Sequence, residues 1–139
     1  MHEVSALLHL DELLDRRMDQ LSGGQRQRVF VGRSLAQEPR ALLLDEPNTF
    51  LDLRHQVELL QLLRRLSRER GVGVLLASHD LNLAASLSDR LLLLEDGALA
   101  ATGTPGEVLD PELLGRVYGL PMQRIDRGND KPPAVLPRV

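Results

Sequence analysis

Leu21-Ser22-Gly23-Gly24-Gln25 and Ala41-Leu42-Leu43-Leu44-Asp45-Glu46-Pro47 are the two stretches on which the fold turns. In the first, Ser22 stands at an N-cap position and Gln25 lies three residues on, the spacing of a capping box. The glycine turn therefore opens a helix, which must end before Pro39. In the second, a short all-apolar run between Pro39 and Pro47 reads as a buried strand of a parallel sheet, ending in two carboxylates.

Upstream, Val4, Leu7, Leu8, Leu10, Leu13 and Leu14 recur at helical spacing. Residues 3–17 are expected to form one helix or two short ones, with Asp11 as a cap between them. Downstream, Asp52 caps a long amphipathic helix that turns Leu53, Val57, Leu60, Leu63 and Leu66 inward and stops at Gly71. Val72–Ala77 reads as a second buried strand ending at Ser78-His79-Asp80, and Leu81–Leu87 as a short helix. Arg90–Glu95 and Ala98–Thr102 flank Asp96-Gly97, a strong two-residue hairpin signal. Thr104-Pro105-Gly106-Glu107 and Asp110-Pro111 each place a cap before a proline and so start two further helices. Beyond Arg127 periodicity is lost, and residues 127–139 are expected to be a disordered tail. Strand, helix, strand, helix, strand is α/β layering with an edge hairpin.

The bulk numbers narrow the class. A chain of 139 residues with 42% hydrophobic and 27% charged residues is an ordinary globular domain or a piece of one. A net charge of −3 gives no basic surface for nucleic acid or anionic membrane. Cysteine is absent, which removes disulfides and thiolate metal sites. No apolar run approaches the roughly 18 residues needed to span a bilayer. Aromatics are only 2%, so the core is expected to be aliphatic, with Phe30, Phe50 and Tyr118 the only large rings. Against 16 arginines there is one lysine, Lys131.

Each candidate motif has a plain structural reading beside a chemical one. Asp45-Glu46 can merely end a strand; it can also deliver carboxylates to the C-terminal edge of a sheet, where ligands of open α/β sheets bind. There Asp45 suits Mg²⁺, and Glu46 suits orienting or deprotonating a water. Ser22 and Gln25 alone satisfy a capping box, yet two glycines in the first turn lose roughly 1 kcal/mol each relative to alanine. Bare amides at a helix start suit an anion such as a phosphate. Asp52 as a simple cap and His79 as a loop histidine remain sufficient readings from the residues alone.

Together these segments resemble the ATP-binding subunits of ABC transporters. Leu21–Gln25 matches that family's signature motif, Ala41–Glu46 its Walker B with the catalytic glutamate, Thr49-Phe50-Leu51-Asp52 its D-loop, and Ser78-His79-Asp80 its switch-histidine loop. Four motifs in family order make the match specific over residues 1 to about 119. The stretch from Asn48 to Gln56, residues 79–90 and Gly103–Leu109 further resemble the branch that imports ferric siderophores, haem and cobalamin. Asn48 stands where that family usually has threonine. These same stretches, with the absent basic surface, disfavour the ABC ATPases of DNA repair or ribosome rescue.

The resemblance implies a partial P-loop NTPase fold over residues 1–126, with a signature-bearing helical part (1–37) and an α/β part (38–126). It implies Glu46 as general base, His79 as γ-phosphate contact and Asp45 as the magnesium carboxylate. Ser22, Gly23, Gly24 and Gln25 would serve a partner's ATP in trans, and Asp52 the dimer seam. ATP and Mg²⁺ are the implied cofactors. The implied partners are a second ATPase subunit, membrane permease subunits and, indirectly, a periplasmic or surface substrate-binding protein, with no nucleic acid. The implied location is cytoplasmic, peripheral on the inner face of the cell membrane. The family's Walker A, G-x-x-x-x-G-K-[ST], has no counterpart here; Lys131 sits before Pro132-Pro133 and cannot serve. The chain is thus expected to be a C-terminal portion that is inactive alone, and the alternative is a non-catalytic fragment or binding half needing a separate Walker A-bearing chain.

Overall fold

A computed structural model describes residues 2–49, 51–128 and 131–138. Phe50, placed by sequence among the core rings and in the D-loop stretch, lies outside the described residues. The chain divides into two compact units, residues 1–77 and 78–139. This division falls after the second strand.

In the first unit, α1 (His2–Leu7) is followed by two single 3-10 turns, Asp11–Leu13 and Met18–Gln20. Asp11 does not cap: Leu10 holds that position without a side-chain bond, and the Asp11 carboxylate accepts instead from Ser5 Oγ at 2.6 Å. Helix α2 (Gly23–Leu35) then crosses residues 8–10 at Gly32, where an added Cβ would stand 2.7 Å from Leu10 Cδ1. Any larger residue there would have to displace the ends of the Leu10 and Leu8 side chains. Strand β1 (Ala41–Asp45) pairs in parallel with β2 (Gly73–Ala77), Asp45 opposite Ala77, through the crossover helix α3 (Leu53–Arg70). Asp52 caps α3 by accepting from the His55 N–H at 2.9 Å, and Gly71 ends it in the left-handed conformation at φ 66°.

The core of this unit is aliphatic: Leu8, Val31, Leu35, Leu42, Leu59, Leu62, Leu63, Leu66 and Val72. Two expectations need correction. Leu60, Leu63 and Leu66 are buried as expected and Leu59 and Leu62 join them, whereas Leu53 is 77% exposed and Val57 is exposed too. Neither strand is buried on both faces. Leu42 is 4% exposed, but its neighbour Leu43 is 76% exposed and Leu75 55%. Successive strand side chains point to opposite faces, and only one face of β1–β2 packs on the helices.

The second unit begins with α4 (Leu81–Leu87), capped by Asp80. Strands β3 (Leu91–Glu95) and β4 (Ala98–Gly103) form the expected hairpin, with Asp96 at φ 49° and Gly97 at φ 79°, both central residues left-handed as a type I′ turn demands. Helices α5 (Pro105–Val108) and α6 (Pro111–Tyr118) start where the caps predicted. Residues 127–139 were expected to be disordered, but Ala134–Pro137 is a strand, β6, antiparallel to β5 (Met122–Ile125). Arg138 N–H closes the pair onto the Pro121 carbonyl at 2.8 Å. A four-residue strand behind Pro132-Pro133 has no local periodicity; Val135, opposite Arg124, joins the core of Ala85, Leu93, Val108, Leu109 and Leu114. Phe30 and Tyr118 are both exposed, so the described cores hold no aromatic ring.

Candidate functional site

The signature turn is built by reciprocal bonds. Ser22 Oγ accepts from the Gln25 N–H at 3.3 Å, and Gln25 Oε1 accepts from the Ser22 N–H at 3.0 Å. The helical ladder starts with Arg26 N–H to the Ser22 carbonyl at 2.9 Å. Leu21 is buried and Arg26 Nε donates to its carbonyl at 3.1 Å, which pins the turn from below. These bonds account for every early amide except those of Gly23 and Gly24, which find no acceptor among the described residues. Ser22 and Gly23 are exposed and Gly24 and Gln25 half-buried, so the two amides without an acceptor lie at the accessible start of a thirteen-residue helix.

The acidic pair sits at the mouth of the parallel strands. Asp45, exposed, is the last residue of β1. Glu46 follows at φ 44°, a left-handed conformation that a non-glycine residue adopts only under constraint. Its N–H donates to the Ala77 carbonyl at 3.1 Å, continuing the ladder one step past the strand. Thr49 N–H bonds the Glu46 carbonyl at 3.0 Å, and Pro47 is buried behind. Thr49 Oγ1 also donates to Glu46 Oε2 at 3.4 Å. No cluster of three or more metal-ligating side chains occurs among the described residues. A single exposed carboxylate at a strand end fits Mg²⁺, which binds through one or two carboxylates with phosphate oxygens and water. It would not fit an all-protein cage.

Asp52 stays exposed while its Oδ1 accepts from both the backbone and the Nδ1 of His55, at 2.9 and 2.8 Å. The His55 backbone N–H holds this carboxyl below its ordinary value, the imidazole adding and desolvation opposing. Asn48, in the turn between Glu46 and Asp52, is only 7% exposed, and its Oδ1 has no partner among the described residues. Gln56 Nε2 reaches back from α3 to the carbonyls of Leu51 (3.0 Å) and Asn48 (3.4 Å) and ties the turn to the helix. Sequence reading assigned neither Gln56 nor Asn48 a part, though both fall in a stretch it marked.

In the second unit, His79 is exposed in a turn where Asp80 N–H donates to Ser78 Oγ at 3.1 Å and Asp80 Oδ1 accepts from the Leu83 N–H at 2.9 Å. Asn82, a position inside a marked stretch but given no role, bonds the backbone of Val135 on both sides. The structure therefore brings Asp45 and Glu46 together, keeps Ser22–Gln25 as a separate exposed turn, and sets Asp52 at the start of α3.

A family profile described as ABC transporter matches residues 1–49. The chain is 44% identical over 128 residues to the ferric enterobactin transport ATP-binding protein FepC of Escherichia coli, covering 92% of this chain and 47% of that one. It is 45% identical over 141 residues to the hemin import ATP-binding protein HmuV of Burkholderia thailandensis, covering 95% and 52%. Among solved structures, an inward-facing metal-chelate type ABC transporter superposes with a TM-score of 0.86 at 29% identity, over 99% of this chain and 56% of that one. The chain spans about half the length of the curated relatives it matches.

Proposed function

From its homology to the ATP-binding subunits of iron-siderophore and haem importers, we propose that this chain carries the metal-, water- and partner-facing half of a transport ATPase. The observation that carries the reading is the pair of amides at Gly23 and Gly24 left without an acceptor on a turn whose capping is otherwise complete. Such a turn offers an anion two N–H donors and the positive end of a helix. Ser22, Gly23, Gly24 and Gln25 bind the terminal phosphates of ATP held by a second ATPase subunit. Asp52 lies along the seam of that dimer. Asp45 ligates Mg²⁺, Glu46 takes the proton of the attacking water, and His79 contacts the γ-phosphate. The cargo is an iron chelate, haem or cobalamin. Its passage runs through permease subunits fed by a binding protein, with the ATPase on the cytoplasmic face of the membrane. Among the described residues no helix is long and apolar enough to cross a membrane.

The uncovered apolar face of β1–β2 supports a further part of the reading. All-parallel sheets are ordinarily covered on both sides. Leu43 and Leu75 accordingly offer an open apolar face on which a helix or a second copy of the chain would pack.

Mixing this chain with a Walker A-bearing segment of a relative and measuring magnesium-dependent ATP hydrolysis tests the proposal. Turnover should appear only in the mixture and fall at least about 100-fold with Glu46→Gln, the scale of general-base loss. Turnover by this chain alone, or turnover indifferent to Glu46, refutes it. If the mixture binds ATP yet stays inactive with Glu46 intact, the chain is a non-catalytic binding half.

A further inference from the structure

One contact outside the proposed chemistry spans 53 positions of sequence. Asn82 Nδ2 donates to the Val135 carbonyl at 3.0 Å, and the Val135 N–H donates to Asn82 Oδ1 at 2.8 Å. The amide thus pairs with one residue's backbone as a neighbouring strand would. Leucine can do neither, aspartate lacks the donor, and glutamine is a methylene longer. Asparagine is also a mediocre helix former, so its presence in the first turn of α4 is not explained by local propensity.

The partners on either side make this contact more than a local tie. Val135 is 3% exposed and lies in β6, which β5 holds in register, so the clamp has a fixed base. Helix α4 has seven residues and is too short to be stable in isolation. Its placement comes from Ala85, buried in the core, from Leu81 packed against that core, and from the Asn82 clamp. Its first turn continues without a break into the turn bearing His79: Leu83 N–H reaches Asp80 Oδ1, Asp80 N–H reaches Ser78 Oγ, and Ser86 Oγ donates to the Asn82 carbonyl at 2.7 Å. Residues 78–86 are therefore one hydrogen-bonded piece, anchored at Asn82.

We infer that Asn82 is a positioning residue, and that through its paired bonds to Val135 the β5–β6 hairpin sets the pose of the turn that presents His79. The inference rests on the proposed role of His79 and adds a lever to it. Whatever docks on or displaces β5–β6 shifts the histidine without touching it. Ile125 and Leu136, exposed on the outer side of this hairpin, give such a contact an apolar foothold.

The test uses the whole chain in solution, without nucleotide, by NMR, with the His79 ring signals identified by their loss in His79→Gln. In Asn82→Ala, amide exchange across residues 81–87 and 134–137 should quicken together by roughly tenfold or more, the scale of two lost hydrogen bonds. Amides of β3 and β4 should keep their rates. The His79 ring signals should move, while those of His9 and His55 stay. Asn82→Asp keeps the shape and one of the two bonds, and should give an intermediate change; it carries the test if the alanine variant unfolds residues 78–139. His79 signals that hold still while β6 exchange quickens overturn the inference, as does β6 exchange that ignores position 82. Because nucleotide is absent, failure here leaves the ATPase proposal standing. An inactive mixture in the ATPase assay, conversely, leaves the clamp standing.

Discussion

Two adjacent leucines of one strand should respond very unequally to mutation. Leu42 is 4% exposed and packs on the helices, so Leu42→Ala removes its transfer energy and leaves a cavity, a cost of about 2–5 kcal/mol. Leu43 is 76% exposed. Only about a quarter of the roughly 1.5–3 kcal/mol for burying a leucine is at stake, so Leu43→Thr should cost about 0.5 kcal/mol, offset in part by threonine's preference for strands. With a urea m-value of roughly 1.5 kcal/mol per molar, the first variant shifts the unfolding midpoint by about 2 M and the second by about 0.3 M. Sedimentation should show Leu43→Thr and Leu75→Thr weakening self-association, since both strip the same open face. If, at concentrations where the chain is monomeric, Leu43→Thr destabilises as much as Leu42→Ala, the outer face is covered in the folded state. Leu43 and Leu75 would then not be an open face.

Further outcomes follow from single contacts. Ser22→Ala removes the acceptor for the Gln25 N–H and should cost about 1 kcal/mol in urea unfolding, with Ser22→Asp restoring it; an unchanged alanine variant would mean that the capping box is not formed. Asn48→Thr replaces the orphaned buried Oδ1 with a hydroxyl that can donate, and should raise stability by about 1 kcal/mol; no gain would show that water already satisfies the amide. Asp52, Glu107 and Glu58 are all held below their ordinary carboxylate values, by the His55 N–H, the Thr104 N–H and the Arg54 guanidinium respectively. A depressed folded value stabilises above the unfolded one and is lost as pH falls through it. Thermal midpoints should therefore hold above about pH 5 and drop below about pH 4, with a shallower slope in Asp52→Asn. An unaltered slope in that variant would remove Asp52 from the account.

Much of the site was legible because its parts are local. Ser22 and Gln25, three apart, define a turn on their own, as do Asp52 before its helix, Asp96-Gly97 between strands and Asp110-Pro111 before α6. Capping and turn chemistry involve residues within four positions, so pattern alone locates them. The left-handed Glu46 was not legible, because its φ answers to the Ala77 carbonyl of another strand.

From the sequence alone come the order of elements from α2 to α6, most of their ends, and the motifs that resemble those of the ABC ATP-binding subunits. Tertiary structure alone decided which leucines are inside. Leu42 and Leu43 are chemically identical, and only the position of α2 and α3 on one side of the sheet distinguishes them. It alone also made residues 134–137 a strand and Asn82 a clamp, because both depend on partners that local periodicity does not contain: β5, and a backbone 53 positions away. Burial and long-range pairing are properties of what the chain meets, and a string of residues names the surfaces without saying which of them will touch.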